Sequence, residues 1–298
     1  MLLNRLGPAT TAVIGIGSLS LMDGIIKHAA AGYATSQAVM MRYMVGAFVA
    51  FLVFRLTRTA WPALRIVRPH AWRAVLVVST AVTFFYALVT LPLAVTLALS
   101  FTSPIFIAIA ATVLLGERPG GNVVIALVLG FAGVLVVLWD ELARTTGEGT
   151  LGILAALASA VTYALSMVTL KTRAGRDPIP TIVLLQNGFA GLFVAPFGIA
   201  QWSSPSPTET ALFAVIGILG AGGHLCMASA YGRADASRLG VLEYTAFVWA
   251  VAIGFFAFGE IPSLGTVAGA ALIVTGAWLA SRTPPQVAPH EPDAEIGP

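Results

Sequence analysis

Thr112–Gly121 reads TVLLGERPGG, and Phe255–Leu264 reads FFAFGEIPSL. Each closes a long apolar run with Gly, Glu, any residue and Pro. Taken singly, either motif is a helix stop. Gly suits the left-handed position at a helix end, Pro cannot continue the helix, and Glu sits in water. Taken together they say more, because Glu117 and Glu260 are 143 positions apart. The same offset carries Leu99, Phe101 and Thr102 onto Leu242, Tyr244 and Thr245. It also carries Val124, Leu129 and Gly133 onto Val267, Leu272 and Gly276. An offset of 144 brings Lys27 onto Lys171. The chain therefore reads as two copies of one unit.

Composition says what kind of unit. Of the 298 residues 58% are hydrophobic and 10% charged, with mean hydropathy +0.90. A soluble domain carries about 25% charged residues, so too few charges are present here to cover a water-facing surface. Apolar stretches of about 20 residues recur instead, the length that crosses a bilayer as a helix. We read ten spans, near 9–29, 36–55, 73–91, 94–115, 121–139, 151–170, 180–200, 210–230, 238–258 and 263–281. The first reads as a retained signal anchor rather than a cleaved leader. The Pro- and acid-rich tail from residue 283 onward reads as disordered. The lone Cys226 excludes an internal disulfide and argues against a thiolate metal cluster.

Charge sets the expected orientation, since Lys and Arg collect on the cytoplasmic side. With both termini inside, 13 of the 16 basic residues fall on that side, from Arg5 through the Arg55–Arg73 cluster to Arg282. Five spans per unit is an odd number, so the two copies must run in opposite senses. The expected fold is an all-α membrane protein of ten transmembrane helices, arranged as two inverted five-helix repeats around a central cavity. Its parts are a first repeat over 1–140, an external linker over 141–150, a second repeat over 151–282 and a cytoplasmic tail over 283–298.

The stretches FTSPIFIAIAATVLLGERP with ALVLGFAGVLVVL, and LEYTAFVWAVAIGFFAFGEIP with ALIVTGAWL, resemble the paired signature of the drug/metabolite transporter superfamily, EamA type. The resemblance spans roughly residues 10–282, with one departure: Phe247 stands where the first copy has Pro104. It implies a ten-helix carrier of the bacterial inner membrane that moves amino acids or similar metabolites, often outward. The second copy is also similar to a subgroup that includes importers of S-adenosylmethionine-like or riboflavin-like metabolites, which leaves direction open.

Charges inside a membrane cost several kcal/mol and mark either function or a structural pair. Asp23 and Lys27 are one turn apart on span one and can pair; Lys27 can also snorkel outward. Arg42 lies inside span two, suited to a substrate carboxylate or to Asp23. Glu243 opens span nine, as a gate, proton site or amine ligand, or as a partner for Arg233 or Arg238. Ser79, Thr83, Tyr86 and Thr90 fall on one face of span three; Ser159, Tyr163, Ser166 and Leu170 fall on one face of span six. Both faces are expected to point into the bundle. His224, after a Gly-rich run on span eight, is a candidate proton carrier or a packed hydrogen-bonding residue. Tyr86, Tyr163 and Tyr244 offer hydrogen bonds and stacking.

No Walker, HExxH or G-x-S-x-G pattern is present. The expectation is a secondary transporter, not an enzyme, with no cofactor and no nucleic-acid partner. Its partners would be a small-molecule substrate, the lipid bilayer and protons as a candidate coupling ion. The alternatives are an uptake carrier for a cofactor-sized metabolite, a passive channel, and an intramembrane enzyme or lipid-processing protein.

Overall fold

The computed structural model describes residues 6–29, 32–91, 96, 99–142, 150–258 and 264–282. The tail, Glu260, the side chain of Lys27 and the middle of the linker lie outside the described residues. Eleven helices occur among the described ones: α1 (Pro8–Ala29), α2 (Thr35–Leu56), α3 (Leu64–Thr90), α4 (Ser103–Leu115), α5 (Gly121–Leu142), α6 (Thr150–Ala174), α7 (Ile179–Ala200), α8 (Pro207–Tyr231), α9 (Ala236–Leu242), α10 (Thr245–Phe258) and α11 (Leu264–Ser281). Among the described residues six stretches are long and apolar enough to cross a membrane: Pro8–Ile26, Thr35–Leu56, Thr150–Ala174, Ile179–Ala200, Pro207–Tyr231 and Ala236–Ile253. Ser103–Leu115, Gly121–Val136 and Val267–Ala280 are shorter apolar helices. The protein is therefore an all-helical, multi-pass membrane protein.

Local chemistry places the helix ends. Ser206 and Glu209 form a capping box at the start of α8: the Glu209 amide donates to Ser206 Oγ and the Ser206 amide donates to Glu209 Oε2 at 2.8 Å. Pro207 adds a fixed φ at the first helical position. Gly116 closes α4 at φ 69°, a left-handed conformation that glycine adopts without a Cβ clash. Helix α3 begins at Leu64, well before the expected span at 73. Hydropathy marks where charge stops, whereas the backbone starts its helix a few turns earlier, through Arg65 and Arg68.

Glu117 is not simply in water. Its Oε1 accepts from the Ala236 amide at 2.9 Å, and its Oε2 accepts from the Ser237 amide at 2.9 Å and the Ser237 hydroxyl at 2.8 Å. The first amides of α9 have no intrahelical partner and attract an anion, which this carboxylate supplies from a distant part of the chain. The span-nine segment is itself interrupted, with a turn at Glu243–Tyr244 between α9 and α10.

The helices pair as α1 with α8, α3 with α6, α2 with both α7 and α8, α3 with α7, α4 with both α6 and α9, α1 with α10, and α5 with α11. Exchanging the halves by the sequence offset maps α1–α8 onto α3–α6, α2–α8 onto α3–α7 and α4–α6 onto α1–α10, and maps α2–α7 and α5–α11 each onto itself. Small residues set the spacing, as expected where lipid leaves close packing as the main attraction. A Cβ on Gly133 would lie 2.7 Å from the Gly269 carbonyl oxygen; one on Gly276 would lie 3.0 Å from that of Ala126. The offset interchanges these two contacts.

One end of the bundle gathers Glu117 with the start of α9, and Lys171 Nζ on the Ala234 carbonyl at 2.7 Å. At the same end Arg233 donates to the Leu6 carbonyl and to Thr11 Oγ1, and His70 Nε2 is 3.0 Å from Asp177 Oδ2. At the other end, the Gln37 side chain bonds both ways to the Ser203 backbone, and Tyr33 meets Phe213 edge-on at 5.6 Å. Trp61, Trp72, Trp139, Trp202 and Trp278 are all exposed, where interface anchors belong.

Two predictions follow from this packing. Glu117→Ala strands two helix-start amides, and should cost about 1–3 kcal/mol of stability, with Glu117→Gln in between. Thermal unfolding in detergent measures it, and an unchanged midpoint for Glu117→Ala would discount the cap. Gly133→Val and Gly276→Val should each destabilise by roughly 1–3 kcal/mol through overpacking, and by similar amounts. A large disparity between them would show that the two crossings are not equivalent.

Candidate functional site

Two groups of polar side chains lie between the ends of the bundle. The first joins α1, α2 and α8. Arg42 is seven residues into α2, roughly 10 Å along the axis at 1.5 Å per residue, and is half-buried. Its guanidinium lies 4.9 Å from the Tyr43 ring centre, and its Nε is 3.6 Å from where a Cβ on Gly220 would sit. Gly220 thus leaves room for the arginine. Its carbonyl also receives His224 Nδ1 at 2.6 Å. A carbonyl only accepts, so Nδ1 carries a proton. Arg42 lies close enough for its charge to act on both Asp23 and His224.

Asp23 and Arg42 nevertheless do not close to an ion pair. The Asp23 side chain is exposed. This differs from the expected Asp23–Arg42 pair. Lys27 cannot be weighed, since its side chain is outside the described residues.

The second group joins α3, α6, α7 and the α9–α10 turn. Tyr163 donates from Oη to Glu243 Oε1 at 2.9 Å. Arg233, one of the partners expected for Glu243, is instead spent on Leu6, Thr11 and Ser229. A tyrosine on α6 therefore holds the carboxylate that sits where span nine breaks. Beside them Arg73 is buried at 1% exposure. Its Nε donates to the Ser166 carbonyl at 3.1 Å and its Nη1 to Gln186 Oε1 at 2.7 Å. Arg73 reads from the sequence as the last of a cytoplasmic arginine cluster. The missed signal was its register: Arg73, Thr80 and Ala87 recur every seven residues on the α3 face that meets α6. There Thr80 Oγ1 bonds Thr162 Oγ1 at 2.9 Å and Ser159 Oγ bonds the Thr80 carbonyl at 3.2 Å.

The span-six stripe thus points into the bundle, through Ser159, Tyr163 and Ser166. The span-three stripe does not. Tyr86 is 47% exposed on the same side of α3 as the exposed Trp72, Val75 and Val82. Thr83 and Thr90 bond carbonyls of their own helix, at Ser79 and Tyr86. A hydroxyl bonded back to its own turn needs no polar neighbour, so such a stripe can face outward. Tyr244 is fully buried against Gly130, its ring 6.3 Å from that of Phe101, in the cluster of Val123, Ala126 and Ile273. It packs α5 rather than joining either polar group. Trp249 lies over Gly17 and donates from Nε1 to the Val13 carbonyl at 3.2 Å.

An all-helical, multi-pass chain with polar and charged side chains gathered between its ends suits a membrane carrier, and its relatives fit that class. The chain belongs to the EamA-like transporter family, whose description matches residues 9–139 and again 150–282. It is 26% identical over 279 residues to the pseudopaline exporter CntI of Pseudomonas aeruginosa, covering 91% of this chain and 95% of that one. It is 31% identical to the riboflavin transporter of Rhizobium johnstonii, covering 79% and 78% of the two chains. It is 25% identical to the S-adenosylmethionine uptake transporter of Rickettsia prowazekii, covering 71% of each. A solved crystal structure matches with TM-score 0.77 at 23% identity, over 92% of this chain and 94% of that chain, which shows the fold alone. These relatives are drug/metabolite transporters, which accords with the expectation that the chain is not an enzyme.

Removing the Tyr163 hydroxyl leaves the Glu243 carboxylate without its donor. Tyr163→Phe should lower unfolding stability in detergent by about 1 kcal/mol. In the double variant with Glu243→Gln the cost should be smaller, and additive effects would show that the bond contributes nothing.

Proposed function

We propose that this chain is a secondary transporter that exports amino-acid-like metabolites across the bacterial inner membrane by alternating access. In this reading ten spans form two inverted five-helix repeats, with both termini cytoplasmic and the Glu117 end facing the cytoplasm. The exchange symmetry of the helix pairs and of the Gly133 and Gly276 contacts supports the repeat. The basic residues at the Glu117 end support the orientation.

The observation that carries the substrate reading is that the exposed Asp23 and the half-buried Arg42, which lies against Gly220 where His224 also bonds, form no ion pair among the described residues although the Arg42 charge acts on Asp23. A carboxylate and a guanidinium within electrostatic reach but not paired suit a zwitterion, whose ammonium goes to Asp23 and carboxylate to Arg42. Lys27 lies one turn from Asp23 and is a second candidate for the carboxylate. Glu243, held by Tyr163 at the span-nine break, is the group proposed to carry a proton or gate the path. Export is favoured by the relative named as an exporter, whose match covers nearly the whole of both chains. The relatives named for riboflavin and S-adenosylmethionine keep uptake of a larger metabolite as the second reading.

Counterflow in proteoliposomes tests this. Vesicles loaded with one unlabelled amino acid should transiently accumulate the same labelled compound. Asp23→Asn and Arg42→Gln should each cut that flux at least ten-fold with folded protein retained, while Tyr86→Ala leaves it unchanged. Accumulation of riboflavin or S-adenosylmethionine alone would replace the amino-acid reading. Equal flux in the Asp23 and Arg42 variants would remove both from the path.

A further inference from the structure

Arg73 is a buried charge with an incomplete set of partners. Nε and Nη1 are bonded to neutral oxygens, while Nη2 has no partner. No described carboxylate forms an ion pair with it: Glu243 is bonded to Tyr163, Asp177 to His70 and Glu117 to α9. Two further buried polar atoms near it are also without partners. Gln186 spends Oε1 on Arg73 and leaves its Nε2 donor unused, and Tyr231 Oη is unbonded. Arg73 lies close enough to Tyr231 and Tyr163 for its charge to act on both. Burying one unsatisfied donor costs about 1–3 kcal/mol, and a guanidinium without an anion in a membrane interior costs more. A guanidinium edge, an amide N–H and a phenol together form a donor set that fits one carboxylate, approached end-on by the Arg73 fork.

We propose that Arg73, Gln186 and Tyr231 form a second carboxylate-binding subsite, so that the substrate carries two carboxylates rather than one. This rests on the zwitterion reading above, in which Arg42 takes the first carboxylate. Arg42 and Arg73 both lie close enough to His224 for their charges to act on it. The site then favours a compound with an ammonium and two carboxylates held apart over an amino acid with one. The neutral bonds of Arg73 to α6 and α7 preorganise the fork and leave its remaining edge for the ligand.

L-glutamate and L-glutamine test this, because they differ in little but the second carboxylate. Counterflow in proteoliposomes should give a KM for glutamate roughly ten-fold or more below that for glutamine. Tyr231→Phe removes one unbonded oxygen and nothing that packs. It should raise the glutamate KM several-fold and leave that for glutamine unchanged. Arg73→Gln should abolish the preference, with Arg73→Lys intermediate because it keeps the charge and loses the fork. A purely structural role would lower both fluxes together, and that result overturns the proposal. So does a wild-type protein that exchanges glutamine, or another monocarboxylate, as readily as glutamate; in that case the amino-acid reading stands. Exchange of neither compound nor of any other amino acid overturns both.

Discussion

The carboxylate of Glu117 on the amides of Ala236 and Ser237 joins the loop after α4 to the start of α9. Inside or near a bilayer an unpaired amide has little water to turn to, so a helix can begin there only if something satisfies its first turn. The short helix α9 and the Glu243–Tyr244 turn that follows it depend on that anchor. Once α9 is fixed, Val241, Leu242 and Tyr244 pack into place, and Glu243 is presented to Tyr163 on α6. The motif that looks like a helix stop is also a helix start, for a different helix in the other half of the chain.

The polar groups divide according to whether a neutral partner is within reach. Arg233, Lys171 and Gln37 are satisfied mainly by backbone carbonyls and hydroxyls, and each ties two distant segments together. Arg73 retains an unbonded Nη2, and Asp23 and Arg42 form no ion pair among the described residues, with His224 bonded beside Arg42 to the Gly220 carbonyl. In a membrane interior that is a costly arrangement, and its persistence is the physical reason to connect these four with a ligand. The glycines at positions 17, 130 and 220 admit Trp249, Tyr244 and Arg42, so the backbone itself is shaped around these large side chains.

Much of this was legible in one dimension. Membrane class and repeat follow from apolar run length and from the offset of two motifs, because a bilayer imposes the same span length wherever the chain crosses it; the family was legible only as a resemblance to a known paired signature. The candidates Asp23, Arg42, Tyr163, His224 and Glu243 were legible because charge and polarity are rare in such runs. The stripe of Ser79, Thr83 and Tyr86 misled, since periodicity fixes which residues share a face and not what that face meets. Arg73 was hidden by its neighbours in sequence: Arg65 and Arg68 made it look like one more loop charge, although it stands two turns into a helix that had already begun.

Sequence by itself determined that the protein lies in a membrane and is built twice over, since these properties depend on local composition and on spacing along the chain, and its paired signature resembles that of the EamA-type transporters. Only the tertiary structure decided that Glu117 caps α9, that Glu243 answers to Tyr163 rather than to Arg233, and that Arg73 is buried with an unfilled edge. Each of those facts is a contact between residues about 80 or more positions apart or a burial produced by several helices at once. Side-chain chemistry states what a residue can bond, but which partner arrives is settled by how the helices cross.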